Sequence, residues 1–333
     1  MRRAPALQFL LVTVFVDMLG LGLIVPIVPA LMTAVTADAT AAVRWSGLLG
    51  SVFGLLQFAA APLLGRLSDR YGRRPVLLAS LSCLGVDWLA HACTPGPWAL
   101  LLFHALAGAC AGTNTVVNAY IADVTGPSAR ARAYGLVGAA FGAGFVAGPA
   151  VGGLLGAVDV RLPFFAAAAL CLTNAAYGWF VLPESRPGDR TTPLSLRMTN
   201  PVGALAAVLR RPVLGRLAYA RGCADVTRMT HQSIWTFFLT HRFAWSTAHI
   251  GAVMAAGALA GALLQGWAAG PVLRRLGDKR VAVTGGLIGV VSLAGTAFVS
   301  TPGQLYVLQA VGVLGAVGGA AGQSWISRSA GAG

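Results

Sequence analysis

The sequence predicts an all-α membrane protein, and three observations carry that prediction. Of its 333 residues, 56% are hydrophobic and only 10% charged, against about a quarter charged in soluble domains. The apolar residues gather into stretches of about 20, the length that crosses a ~30 Å hydrocarbon core as a helix, and the mean hydropathy is +0.73. The alternating ten-residue segments of a transmembrane barrel are absent, so the spans are helical.

Ten such stretches follow in order: Leu7 to Leu31, Trp45 to Leu64, Pro75 to Cys93, Trp98 to Ile121, Tyr134 to Val158, Leu162 to Leu182, Val213 to Thr240, Ala248 to Gly270, Val281 to Ser300 and Leu305 to Ile326. The first starts behind Arg2 and Arg3, as a signal peptide does. Asp17, Pro26 and Pro29 interrupt it and no clean small-residue cleavage site follows, so an uncleaved first helix is expected. The 43 glycines and 17 prolines permit close contacts and local breaks between membrane helices. Cys83, Cys93, Cys110, Cys171 and Cys223 lie within or at the ends of the stretches, in no CxxC spacing and far from any His pair. Neither a disulfide framework nor a metal site is expected from them.

A net charge of +14 would suggest nucleic acid in a soluble chain. Here the basic residues sit in short gaps between apolar runs, which makes them a topology signal and leaves no nucleic-acid partner to expect. Basic loops stay in the cytoplasm. Placing the N-terminus there leaves only Arg44, Arg161 and Arg242 outside, with Arg221 and Arg228 inside the seventh stretch. The longest gap, with "PESRPGDRTTPLSLRMTNP", reads as a polar cytoplasmic linker. The expected organisation is a six-helix bundle over 1–182, a linker over 183–212, and a second bundle of about four helices over 213–333.

"GRLSDRYGRRPVLL", Gly65 to Leu78, becomes the turn between the second and third helices, the second ending near Gly65 and Pro75 suiting the first position of the third. About 200 residues later "GPVLRRLGDKR" repeats it, with Gly270 and Gly277 keeping the spacing of Gly65 and Gly72. Two echoing turns six helices apart signal an internal duplication with parallel halves around a central cavity, which is a transporter plan.

With those residues in place, the sequence resembles the major facilitator superfamily and, within it, the drug/proton antiporters of the tetracycline efflux type. The turn is similar to that superfamily's G-x-x-x-D-R-x-G-R-R signature. "GAGFVAGPAVGG" resembles the antiporters' fifth-helix signature, "DMLGLGLIVPIVP" their first helix, "YIADVT" with Arg130 the end of their fourth, and "HRFAW" the end of their seventh. The resemblance implies a fold of six plus six helices, whereas six plus four are found. Either two helices are missing from a fragment, or this is a natural short form; a truncated transporter is expected to be inactive.

Asp17 lies about ten residues into its helix and Asp87 similarly far into the third. A carboxyl at that depth costs at least ~2.5 kcal/mol. Facing an aqueous cavity and taking up a proton reversibly, it does what proton-coupled antiport requires; bonded to neighbouring helices, it is structural. Gln57, His104, Asn114 and Asn118 join the same candidate pathway, the two asparagines sharing one face. His104 stands where the tetracycline-type pumps carry an arginine, so a fixed charge gives way to one that titrates near neutrality. On the seventh helix Arg221, Asp225 and Arg228 are spaced for pairing, either to recognise an anionic or zwitterionic substrate or because the helix begins late. Gly261 and Val290 stand where the tetracycline pumps have a histidine and an aspartate. For the turn, Asp69, Arg70, Arg73 and Arg74 are either orientation signals and lipid contacts, worth about 1 kcal/mol each, or, by resemblance, parts of an inter-bundle latch with Gly65, Gly72, Asp123 and Arg130. Gly144, Gly148, Pro149, Gly152 and Gly153 are expected to bring helix five close to its neighbours at the moving interface.

No P-loop appears, and neither HExxH, GxSxG nor a useful carboxylate pair. An enzyme is not expected, and no cofactor; the proton gradient is the expected energy source. The expectation is a monomeric, multi-pass inner-membrane exporter of a drug-like molecule driven by protons. A metabolite facilitator or symporter of the same superfamily, or an inactive truncated transporter, is the alternative.

Overall fold

The computed structural model describes residues 3–94, 96–125, 127–185, 188–189 and 200–331. Among them are thirteen helices and no strand: α1 (Arg3–Ile24), α2 (Val28–Thr36), α3 (Ala39–Tyr71), α4 (Arg73–Cys93), α5 (Pro97–Cys110), α6 (Thr113–Val124), α7 (Pro127–Val158), α8 (Leu162–Val181), α9 (Pro201–Leu209), α10 (Pro212–Phe243), α11 (Thr247–Leu276), α12 (Asp278–Thr296) and α13 (Pro302–Gly331). Seven helical segments are long and apolar enough to cross a membrane. The chain is a membrane protein, as its composition predicts.

Three expected boundaries change. The first stretch is two helices, because Pro26 and Pro29 interrupt the backbone ladder and α1 stops at Ile24 before α2 begins. The fourth is likewise broken at Ala111 and Gly112, between α5 and α6. The second helix does not end near Gly65. It runs on to Tyr71, and Arg73 rather than Pro75 opens α4, so the whole turn is the single residue Gly72 at φ 101°. The linker is not all polar coil either: the apolar run PVGALAAVL within it forms α9.

The chain divides into two compact units. The first comprises residues 1–204 and 230–252. In it α1 packs on α7 and α8, α4 on α8 and α5, and α3 on α5. Its buried apolar residues form two clusters. One holds Phe9, Leu10, Val14, Leu77, Leu81 and Tyr120; the other holds Leu23, Ile27, Leu31, Trp88, Phe164 and Cys171. Along α1, Asp17 falls between the two clusters, and along α8 so does Asn174. The α1–α7 contact needs glycine: a Cβ on Gly148 would lie 2.6 Å from Gly22 Cα, closer than real carbons approach. Gly144 and Gly152 face the α1 backbone in the same way, while Gly153 faces Gly251. Backbones this close gain dispersion contact that lipid cannot match.

The second unit comprises residues 205–229 and 253–333. Its main pairing is α12 against α13, where a Cβ on Gly285 would lie 2.5 Å from Gly318 Cα. Val281, Val317 and Ala321 are buried there against Leu264 and Val272.

Candidate functional site

Two polar constructions stand out in the first unit, one deep and one at the α3–α4 turn. The deep one uses α1, α4, α5 and α8. Asp17 is 9% exposed, and among the described residues its Oδ1 has no hydrogen-bond partner. One turn earlier on α1, Thr13 Oγ1 accepts a 3.1 Å bond from the Asn174 side chain. Gly20 lies between Trp88 Nε1 and Cys171 Sγ, each 3.9 Å from where its Cβ would be, and the indole N–H is buried with no partner among the described residues.

Asp87 is 1% exposed and is held by two imidazoles. Its Oδ2 lies 2.7 Å from His104 Nδ1 on α5. Its Oδ1 lies 3.4 Å from His91 Nδ1, four residues on along α4, and the same nitrogen is 2.9 Å from the Asp87 carbonyl oxygen. The pairing of Asp87 with His104 brings together two residues that the sequence placed in one pathway. His91 was missed, although the i, i+4 spacing from Asp87 was the available signal.

The other pathway candidates are placed less decisively. Gln57 is half-buried on α3. Asn114 and Asn118 share the exposed face of α6, opposite the buried Val116, Val117 and Tyr120. Asp225 is half-buried on α10, and the side chains of Arg221 and Arg228 lie outside the described residues. So does that of Arg130 on α7.

At the turn, Arg73 is the hub. Though it is a cation, it is only 7% exposed, which requires charge partners. It has two, Asp69 Oδ1 at 2.7 Å and Asp123 Oδ2 at 3.1 Å, and its guanidinium also donates to Ser68 Oγ at 2.5 Å. Helix-dipole reasoning disfavours two arginines at the start of α4. Glu184, just beyond α8, resolves the conflict by accepting from the Arg73 N–H at 2.8 Å and the Arg74 N–H at 3.2 Å. That places a carboxylate where orphan N–H groups and the helix dipole favour an anion. Arg74 donates to the Trp179 carbonyl oxygen with its guanidinium carbon 5.5 Å from the indole ring centroid. Tyr120 donates to the Pro183 carbonyl oxygen at 2.5 Å, Ser185 Oγ to Asp123 at 3.1 Å, and the Asp189 N–H to the Asp69 carbonyl oxygen at 3.0 Å. The segment after α8 therefore straps the turn. The described partners of Arg73 and Arg74 all belong to the first unit. Gly65 sits against Thr115, and Arg70 lies against the Tyr71 ring.

Neither Glu184 nor the strap was visible in the sequence, because 111 residues separate Glu184 from Arg73. The sequence places Pro183 at the start of a polar linker, with nothing in the local pattern to tie it to the turn.

Comparison with known proteins agrees with this architecture. The Major Facilitator Superfamily profile matches residues 10–332. The tetracycline resistance protein, class C, of Escherichia coli is 36% identical over 98% of this chain and 82% of its own length. Multidrug resistance protein 2 of Bacillus subtilis (strain 168) is 26% identical over 87% of this chain and 73% of its own. Among solved structures, an inward-facing bacterial homolog of the human lysosomal transporter Spinster superposes with a TM-score of 0.74 at 16% identity, over 98% of this chain and 75% of that one. The human organic anion transporter MFSD10 gives 0.68 at 22% identity, over 97% and 86%. The signature turn, the glycine-packed helices and a match over nearly its whole length place this chain in the major facilitator superfamily.

Proposed function

We propose that the chain exports a drug or drug-like small molecule in exchange for protons, by alternating access in the cell's inner membrane, as a monomer with its N-terminus in the cytoplasm. The observation that carries the reading is Asp17, a carboxyl buried midway along α1 with one oxygen lacking a partner among the described residues. Such a group is stable there only when protonated or when a cation or donor reaches it, and alternation between those states is what antiport needs. Asp87 is the second carboxyl, its Oδ2 sharing a proton position with His104 Nδ1. The export direction and substrate class rest on the relatives, which include tetracycline and multidrug resistance proteins.

In this reading the turn is the conformational latch. Arg73 joins α3, α4 and α6 through Asp69 and Asp123, and the Glu184 strap ties the end of α8 to the start of α4. Asp69 is 41% exposed, so it is the member of the network best placed to exchange partners during the cycle.

The test is substrate-dependent proton movement in inverted membrane vesicles, with a tetracycline and a panel of multidrug substrates. Wild type is expected to couple the two fluxes, and Asp17→Asn to uncouple them. Coupling that survives in Asp17→Asn removes that carboxyl from the mechanism. Substrate movement in wild type that ignores an imposed pH gradient assigns the chain to facilitated transport instead.

A further inference from the structure

We propose that Asp87, His91 and His104 form a binding site for a divalent first-row transition-metal ion of the zinc type, within the first unit. Each residue offers one ligand atom, and these atoms all lie within 4.8 Å of one another. Two come from one turn of α4 and the third from α5, so rigid helices hold them. The Asp87 side chain is fully buried, those of His91 and His104 are 7% and 14% exposed, and among the described residues Asp87 Oδ1 has no hydrogen-bond partner. The expectation of no metal site rested on cysteine spacing; this ligand set uses no cysteine.

The surroundings are those of a built site. Phe164 stacks on His91 at 5.7 Å and 9°, Phe53 lies against His104 at 4.8 Å, and the two imidazoles are 5.1 Å apart at 66° to one another. Trp88 closes the group, 5.7 Å from His91 and 6.3 Å from His104. These rings fix both imidazole planes and keep the dielectric low, which strengthens an ion–ligand interaction. Two imidazoles and one carboxylate suit zinc, cobalt, nickel or copper, whereas magnesium and calcium prefer oxygen ligands. Three protein ligands leave a fourth position for water or a chelating molecule. On binding, the proton between Asp87 Oδ2 and His104 Nδ1 leaves to solvent, the Nδ1 proton that His91 donates to the Asp87 carbonyl oxygen moves to Nε2 by tautomer exchange, and the freed lone pairs turn to the ion.

The test is titration of the purified 333-residue chain in detergent with Co2+, followed by its visible absorption, and competition with Zn2+ and Mg2+. One equivalent is expected to bind, to be displaced by Zn2+ and to resist excess Mg2+. His91→Gln and His104→Gln are each expected to weaken binding about tenfold or more. Unchanged affinity in the double variant overturns the proposal, because the ion then sits on other histidines such as His231, His241 or His249. Absence of binding by the wild type also overturns it and makes the cluster a hydrogen-bonded triad only. X-ray absorption of the zinc-loaded wild type needs no variant: two imidazoles, one carboxylate and a further oxygen ligand from water are expected, and any other number of imidazoles refutes the assignment. Metal affinity is read without transport, so the proton-exchange reading can fail while this one stands.

Discussion

The turn at Gly72 and its echo at Gly277 share a backbone and little else. Both glycines stand alone between two long helices with left-handed φ, 101° at Gly72 and 78° at Gly277, and ψ near 155°. Around Gly72 the Glu184 carboxylate fills the space a Cβ would take, whereas none of the described residues lies within 4 Å of that point at Gly277. Arg73 is buried between two carboxylates, while Arg274, Arg275, Lys279 and Arg280 are exposed. Among the described side chains, the second turn has no counterpart of the Arg73 ion pairs or of the strap. That difference supports giving the first turn a second task.

A methyl group placed at both glycines separates the two turns most strongly. Gly72→Ala is expected to cost roughly 2–4 kcal/mol, from strain in a glycine-only region together with loss of the Glu184 bonds. Gly277→Ala meets open space and is expected to cost about 1–2 kcal/mol from strain alone. Denaturant unfolding in detergent measures both, and equal losses would mean that the strap contributes nothing. Next in size is Asp123→Ala, which leaves Arg73 buried with Asp69 as its sole carboxylate, for an expected loss of about 1.5–3 kcal/mol.

Much of the fold was legible because hydropathy over 20 residues is a strong signal, and all ten apolar stretches lie largely on helices. The errors came where local rules met tertiary ones. Pro75 is a good opening residue for a helix, yet α4 starts two residues earlier because Glu184 can cap it there. Asp17 and Asp87 stood out since charge is rare in an apolar run, and His104 did for the same reason. His91 shares that rarity but carried no motif. Its relation to His104 depends on how α4 and α5 pack, which no spacing rule encodes.

Smaller effects refine the same contrast. Glu184→Gln keeps the hydrogen-bonding oxygen but removes the charge at the start of α4, and about 0.3–1 kcal/mol of stability is expected to go with it, less at high salt. At the second turn, Lys279→Ala is expected to stay within about 0.5 kcal/mol of wild type. A thermal melt across salt concentrations separates the two, since only the first should converge on wild type as salt rises.

The reach of the strap also sets an order of events during synthesis. Arg73 leaves the ribosome long before Asp123 and Glu184 exist, and a ribosome adding about 5–20 residues per second needs roughly 5–20 s to make the intervening 111. Asp69 and Ser68 precede the arginine and Asp123 follows 50 residues after it, but until Glu184 is made the first N–H groups of α4 lack their carboxylate, so that corner cannot close. Completion of the turn therefore comes only after all six apolar helical segments before Glu184 have been made, so closure of that corner marks the end of synthesis of the first six.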